Sequence, residues 1–293
     1  MNEGRDQGAP AAAGGSTRVD PQHRATNRVV PLRRPGMWIT STVVALAVIW
    51  VAVSVYRNPN IVHPVIAQYQ FAPAILEGLR TTIVLAVLAA LIGLALGIVL
   101  AIMRLSSSPV LRWGSGLYTW LVRGTPLLVQ ILIWGNLALL FQHIGPFDTN
   151  TIMTPFVASV VALGLNEAAY MAEVVRAGIV SVDRGQYEAS IALGMPRSLA
   201  MRRIILPQAM RVIIPPTGNQ FISLLKATSL VSVIAGGDLL TAAQNISSAN
   251  LHTIELMLVA TFWYLVLTTI TSIGQYFIER RLARSGTGLH GGH

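Results

Sequence analysis

Six apolar runs dominate this chain, and each is close to the length that crosses a lipid bilayer. They lie near Trp38–Tyr56, Thr81–Met103, Pro126–Phe141 (starting earlier, near Val122), Pro155–Ile179, Ile213–Ala235 and Glu255–Phe277. A helix rising about 1.5 Å per residue needs roughly 20 residues to traverse the hydrocarbon core. Composition agrees: 53% of the 293 residues are hydrophobic and only 11% charged, against about 25% charged in a soluble domain. Mean hydropathy is +0.59. The expected fold class is an all-α integral membrane protein with six transmembrane helices. In the second run Gly93 and Gly97 stand at GxxxG spacing beside Ala86, Ala89 and Ala90. Small residues on one face let membrane helices approach closely, so this face is read as a packing surface.

Arginine placement sets the orientation. With the N-terminus inside, the cytoplasmic segments hold 18 of the 21 basic residues; only Arg57, Arg80 and Lys226 fall elsewhere. Such a bias is the usual mark of cytoplasmic loops. It accounts for a net charge of +9 without nucleic acid. Residues 1–37 show no apolar period and are expected to be a disordered basic cytoplasmic tail. The run at 38–56 is read as a retained extra anchor and not a cleaved signal. From 283 to 293 a flexible tail is expected. The absence of cysteine excludes disulfides and thiol chemistry.

One stretch between the apolar runs stands apart, from Gln186 to Pro207. Gln186–Leu193 contains good helix formers. Gly194 and Pro196 should end that helix, because glycine is flexible and proline biases its predecessor away from helical angles. A second short helix is expected over Arg197–Leu206, stopped by Pro207. Two short helices with a hard turn, too polar for lipid, make a knob that another molecule can grip. An amphipathic helix lying on the inner leaflet would not explain the glycine and Leu-Pro spacing.

Glu188, Ala189, Ser190, Gly194, Ile204, Leu206 and Pro207 resemble the coupling loop of importer-type ABC-transporter permeases. That pattern is Glu-Ala-Ala, three residues, Gly, nine residues, Ile, one residue, Leu-Pro. Every gap is kept, and Ser190 for the second alanine is the one departure. Further stretches are similar to permeases for polar amino acids: Arg-Gly-Thr-Pro-Leu-Leu-Val-Gln at 123–130, Ala-Tyr-Met-Ala-Glu-Val-Val-Arg-Ala-Gly-Ile at 169–179, Leu-Pro-Gln-Ala-Met-Arg at 206–211, and the segments at 218–226 and 228–234. The resemblance covers about residues 75–282. Ala227 stands where the family usually carries an acidic residue, leaving Lys226 without that adjacent counter-charge.

The resemblance implies a type I ABC importer permease core in a bacterial inner or plasma membrane. Its expected partners are a dimer of cytoplasmic ATPase subunits, an extracytoplasmic amino-acid-binding protein and a second permease, identical or related. The substrate would be a polar amino acid. Glu188, Ala189, Ser190, Gly194, Ile204 and Pro207 become the expected ATPase-coupling residues. No cofactor is expected on this chain, with ATP and magnesium falling to the ATPase. The residues agree with that division: a phosphate-gripping loop needs Gly-Lys-Ser/Thr after a glycine-rich turn, and the sole lysine, Lys226, follows Leu225 in an apolar run.

Polar residues within the runs suggest a solute path. Asn166, Glu167, Tyr170 and Glu173 fall within an arc of roughly 120° at 100° per residue. Asn219, Gln220, Ser223 and Lys226 repeat those offsets. Groups of this kind at membrane depth are costly and should face protein or water. Asn166, Glu167, Tyr170, Asn219, Gln220, Ser223 and Lys226 are therefore the candidate pathway residues; helix-to-helix hydrogen bonding is the plainer alternative. Counted along the helices, Glu167 and Lys226 lie at similar depths, roughly 15–22 Å, where they could face each other. Glu173 and Arg176 are expected to form a structural pair. Asp148, Asp238 and Glu255 are expected as solvated charges near the outer surface. Two rival classes remain. A secondary carrier typically shows duplicated halves, and no repeat is visible. A membrane hydrolase would need a nucleophile or metal motif, and none is present.

Overall fold

The structure, a computed structural model, describes residues 35–284 and is almost wholly helical. The expected tails, up to residue 34 and from residue 285, lie outside the described residues. Contacts divide the chain after Arg57 into two units. The first holds α1 (Pro35–Tyr56), 22 residues with no charged side chain. Its first residues fall inside what the sequence suggested was tail.

The second unit begins with the short α2 (His63–Tyr69) and continues into α3 (Pro73–Leu105). Pro73 stands in the first turn of α3, where a missing N–H breaks nothing. α8 (Pro155–Val180) runs beside α3 as its main partner. Thr154 caps α8 by accepting from Val157 N at 3.3 Å. The GxxxG face lies in this contact. A Cβ on Gly93 would fall 2.6 Å from Glu167 Cβ, and one on Gly97 2.5 Å from Met171 Cβ. Glycine is required at both positions because the Cβ atoms of α8, with its backbone just behind at 3.1–3.2 Å, stand where side chains would go.

α3 is also the common member of three core clusters at successive heights. Near its start Ile75 packs with Leu239, Leu256 and Val259. Midway, Leu85 and Ala89 pack with Ile131, Leu163, Leu224 and Val231. Near its end Ala101 packs with Val175, Ala209 and Ile213. Large apolar residues elsewhere stay open, Leu265 at 64% and Ile270 at 63% on the last helix among them. In a membrane-spanning chain these are lipid-facing surface, not a defect in packing.

The third apolar run is not one span from Pro126. It is a bent pair, α4 (Pro109–Gly124) and α5 (Leu127–Gly135), meeting at 99°. Pro126 removes a donor and holds Thr125 extended. The acceptors exposed by the bend are met by Gln130, whose Nε2 donates to Val122 O at 2.7 Å and to Thr125 Oγ1 at 2.9 Å. α6 (Leu137–Leu140), an antiparallel pair of two-residue strands β1 (His143–Ile144) and β2 (Phe147–Asp148), and α7 (Thr149–Ile152) connect α5 to α8.

After α8 come α9 (Arg184–Ala192), α10 (Arg197–Ala200), α11 (Leu206–Ala227), a 3₁₀ segment Thr228–Ile234, α12 (Leu239–Asn250) and α13 (Thr253–Arg284). The stretch Arg197–Ile234 and α12 form a second bent pair, at 43°. α3, α8 and α13 are single helices long and apolar enough to cross a membrane. With the two bent pairs and α1, this is compatible with six spans.

α12 is invisible in the apolar pattern, and Asp238 explains it. Asp238 is fully buried, not a solvated outer charge. Its carboxylate caps α12, accepting from Leu240 N at 2.9 Å, Thr241 N at 3.2 Å and the Thr241 hydroxyl. It also accepts from Tyr264 OH of α13 at 3.1 Å. Thr82 Oγ1 of α3 accepts from Leu239 N at 3.0 Å. Glu255 is likewise buried, because its carboxylate accepts from Val62 N at 2.9 Å and so fastens the approach to α2. Asp148 alone of the three is exposed, and it caps α7 through Asn150 N.

Candidate functional site

The bent handle of the sequence is present, with one correction. α9 ends in a closed turn: Gly194 N donates to Ile191 O at 2.9 Å and Met195 N to Ser190 O at 3.1 Å. Gly194 has φ +77°, which is the left-handed cap that glycine favours. Pro207, however, does not stop the next helix. α10 runs through a π-helical turn, Met201–Ile205, directly into α11. There Leu206 N donates five residues back to Met201 O. The wider turn makes room for Pro207, whose ring and missing N–H would break a regular one. Pro207 thus begins α11.

The candidate coupling residues divide by exposure. Glu188, Ala189, Gly194 and Pro207 are exposed, Ile204 is half-buried, and Ser190 is buried with its hydroxyl donating to Tyr187 O at 2.6 Å. Beside Glu188 a recess of about 340 Å³ is lined by Tyr187, Met201 and Ile205. Leu193 stands 81% exposed at the tip. Gln208 Nε2 reaches Gln186 Oε1 at 3.5 Å and Ile204 O at 3.0 Å, tying the handle's first helix to α11.

The candidate pathway residues fall into three groups. Asn166 and Tyr170 face the α4–α5 bend: Asn166 Nδ2 donates to Gln130 Oε1 at 3.2 Å, and the Arg123 guanidinium lies 5.1 Å from the Tyr170 ring centre. Glu167 is buried, 7% exposed, and lines a cavity of about 580 Å³ between α3, α8, α11 and α13. α11 meets that cavity with Thr217, Gly218 and Phe221. Asn219, Ser223 and Lys226 form an exposed stripe on another face of α11, and Gln220 is half-buried. Lys226 is not part of the cavity wall, and no ion pair among the described residues joins it to Glu167. The facing pair suggested by equal depth does not form within one chain. Glu173 and Arg176 do pair, at 2.8 Å.

Four residues of these sites escaped sequence reading. Arg123 and Gln130 were visible only as parts of a longer motif, although an amide inside an apolar run is itself a signal. Gln275 and Glu279, one turn apart on α13, also face the cavity. Gln275 lies inside the sixth apolar run, where an amide is again such a signal, whereas Glu279 lies just past its end, where charged residues begin and nothing marked it as intramembrane.

The chain was compared with known proteins. It is 43% identical over 263 residues to the arginine transport system permease protein ArgU of Corynebacterium glutamicum, covering 88% of this chain and 83% of that one. It is 40% identical over 220 residues to the L-cystine transport system permease protein TcyB of Bacillus subtilis, covering 75% and 91%. Among solved structures it matches the crystal structure of an amino acid ABC transporter with histidines, with TM-score 0.66, 38% identity and coverage of 73% and 97%. A methionine ABC transporter, MetNI, shares the fold at TM-score 0.54 and 17% identity. The family model for the binding-protein-dependent transport system inner membrane component matches residues 93–284. That range runs from the first glycine of the α3–α8 contact to the end of α13 and takes in the whole handle; the chain belongs to this family.

Proposed function

We propose that the chain is the membrane-spanning permease subunit of an ATP-driven importer, and that it passes a polar amino acid inward. The relatives are named as permeases for arginine, cystine and glutamine, which supports an amino-acid solute and does not favour an ATP-independent carrier. In this reading the handle and both termini are cytoplasmic, in a bacterial inner membrane. A binding protein delivers solute from the other side, and a partner ATPase binds ATP and magnesium.

The observation that carries the reading is the continuity of the handle with α11 through the π-helical turn. α9 presents Glu188 outward for a charge-assisted contact with a basic group on the ATPase. Exposed Ala189 and Gly194 permit close approach. A change of ATPase state moves α9 and α10 and, with them, α11 and its polar face. The shift it can drive equals its difference in binding to the two permease conformations. The exposed stripe Asn219, Ser223 and Lys226 would be costly against lipid. Covering it with a second permease gives a polar path between the two.

Replacing Glu188 with Lys tests the reading in proteoliposomes holding the permease, its ATPase and the binding protein. Uptake should fall by at least about tenfold, the cost of one lost charge-assisted contact, while the variant still inserts in the membrane. Uptake at the wild-type rate would count decisively against a coupling role for Glu188.

A further inference from the structure

The hairpin between α3 and α4, away from both the handle and the cavity, carries positive charge that the protein does not neutralise. The Arg104 guanidinium, half-buried at the end of α3, is fixed across the hairpin, because its Nη1 donates to Arg112 O at 3.1 Å. Gly116 gives it room: a Cβ there would collide with Nη1. Arg112 itself is exposed, so both arginines belong to one corner of the hairpin. Neither takes part in an ion pair among the described residues, and a guanidinium cannot shed its charge.

Beside this corner α4 presents an apolar stripe. Val110, Trp113, Leu117, Trp120 and Leu121 are all exposed and fall within about 100° of the helix surface at 100° per residue. Buried Ser115 and Thr119 occupy the opposite face, where Ser115 Oγ donates to Leu100 O of α3 at 2.8 Å. Trp113, next to Arg112, is 73% exposed. A tryptophan of this kind sits at headgroup level, with its ring among acyl chains and its N–H toward the polar layer. The height of the corner agrees. Gly93 meets Glu167 and Gly97 meets Met171, both 74 positions on, so Arg104 stands level with Gly178, at the end of α8 where the handle begins.

Resting on the cytoplasmic placement of the handle above, we propose that the α3–α4 corner is a site for an anionic phospholipid of the inner leaflet. Its phosphate accepts from Arg104 and Arg112, the Trp113 N–H meets its polar layer, and an acyl chain lies along Leu117 and Trp120. The arginine fork matches phosphate oxygens, and Arg104 is already held in place, so little side-chain freedom is lost on binding. Basic corners between membrane helices on the cytoplasmic side suit such headgroups. A zwitterionic lipid brings its own cation and leaves the arginines unneutralised, and a soluble phosphate has no chain for the stripe. Arg280 and Arg281 near the end of α13 are exposed and carry the same charge, without a bond that fixes them or a tryptophan stripe beside them.

Native mass spectrometry of the intact permease–ATPase complex reads the site. The complex is released from nanodiscs of equal parts phosphatidylglycerol and phosphatidylcholine, washed in mild detergent, and the lipids that remain are counted. Phosphatidylglycerol should be retained at least about fivefold over phosphatidylcholine. Arg112→Gln, which leaves the bond from Arg104 to the main chain intact, should lower that retention about fivefold, and the Arg104→Gln, Arg112→Gln pair about 25-fold, as expected for one and two arginines at an anionic surface. The Arg280→Gln, Arg281→Gln pair removes as much charge and should change it by less than about twofold. Millimolar inorganic phosphate should leave the lipid in place. Equal retention of the two lipids, retention unmoved by the Arg104 and Arg112 pair, an equal loss in the Arg280 and Arg281 pair, or displacement by phosphate would each overturn the site. ATP-dependent uptake by the wild-type complex persisting beside any of those results leaves the importer reading intact, and its absence would strike that reading instead.

Discussion

A buried carboxylate with four donors around it is the residue on which the far end of the bundle depends. Asp238 joins α12 to itself through two backbone N–H groups and a hydroxyl, and to α13 through Tyr264. Removing it would orphan a helix N-terminus and a phenol at once. Asp238→Ala should destabilise the solubilised complex by roughly 2–4 kcal/mol, read as a lower unfolding midpoint, with Asp238→Asn intermediate. An unchanged midpoint would mean that water satisfies those donors. Residues of this kind were the least legible in the sequence. Asp238 stands between a pair of glycines and an apolar stretch, and its partners Thr82 and Tyr264 lie in other runs, so it resembled a solvated loop charge. Glu167 was legible because a carboxylate inside an apolar run has no bland surface explanation. Glu279 was not, because it borders a charged helix end, and Gln275, although inside the sixth run, carries no charge to draw notice.

Between residue and fold, local chemistry was read well where one residue decides the geometry and poorly where two effects compete. Gly194 ends α9 with positive φ, as its spacing from Pro196 suggested. Pro207 was misread as a stop, since proline alone says nothing about a π-helical turn upstream that lets the helix pass. The α4–α5 bend was missed for a related reason: the apolar count continues across Thr125-Pro126 while the backbone turns. The handle's stiffness can be tested at its cap. Gly194→Val puts a β-branched side chain at φ +77°, costing about 1–2 kcal/mol. The variant complex should still hydrolyse ATP, while solute moved per ATP falls several-fold. An unchanged ratio would show that the turn need not be rigid for coupling.

Across the whole molecule the fold class was legible, because apolar length and arginine bias are properties of many residues together. What single-chain helix counting could not reveal is that polar groups divide between two destinations. Glu167, Gln275 and Glu279 turn into a cavity, whereas Asn219, Ser223 and Lys226 stay exposed. In the proposed reading the first set belongs to one subunit's interior and the second meets another subunit. In that reading the chain, which carries no Gly-Lys-Ser/Thr phosphate-gripping motif, takes its driving force through the handle. The most direct test is amino-acid uptake into vesicles containing this permease with its binding protein, with and without the ATPase and ATP. Uptake should appear only when both ATPase and ATP are present; accumulation by the permease alone, without nucleotide, would contradict the account.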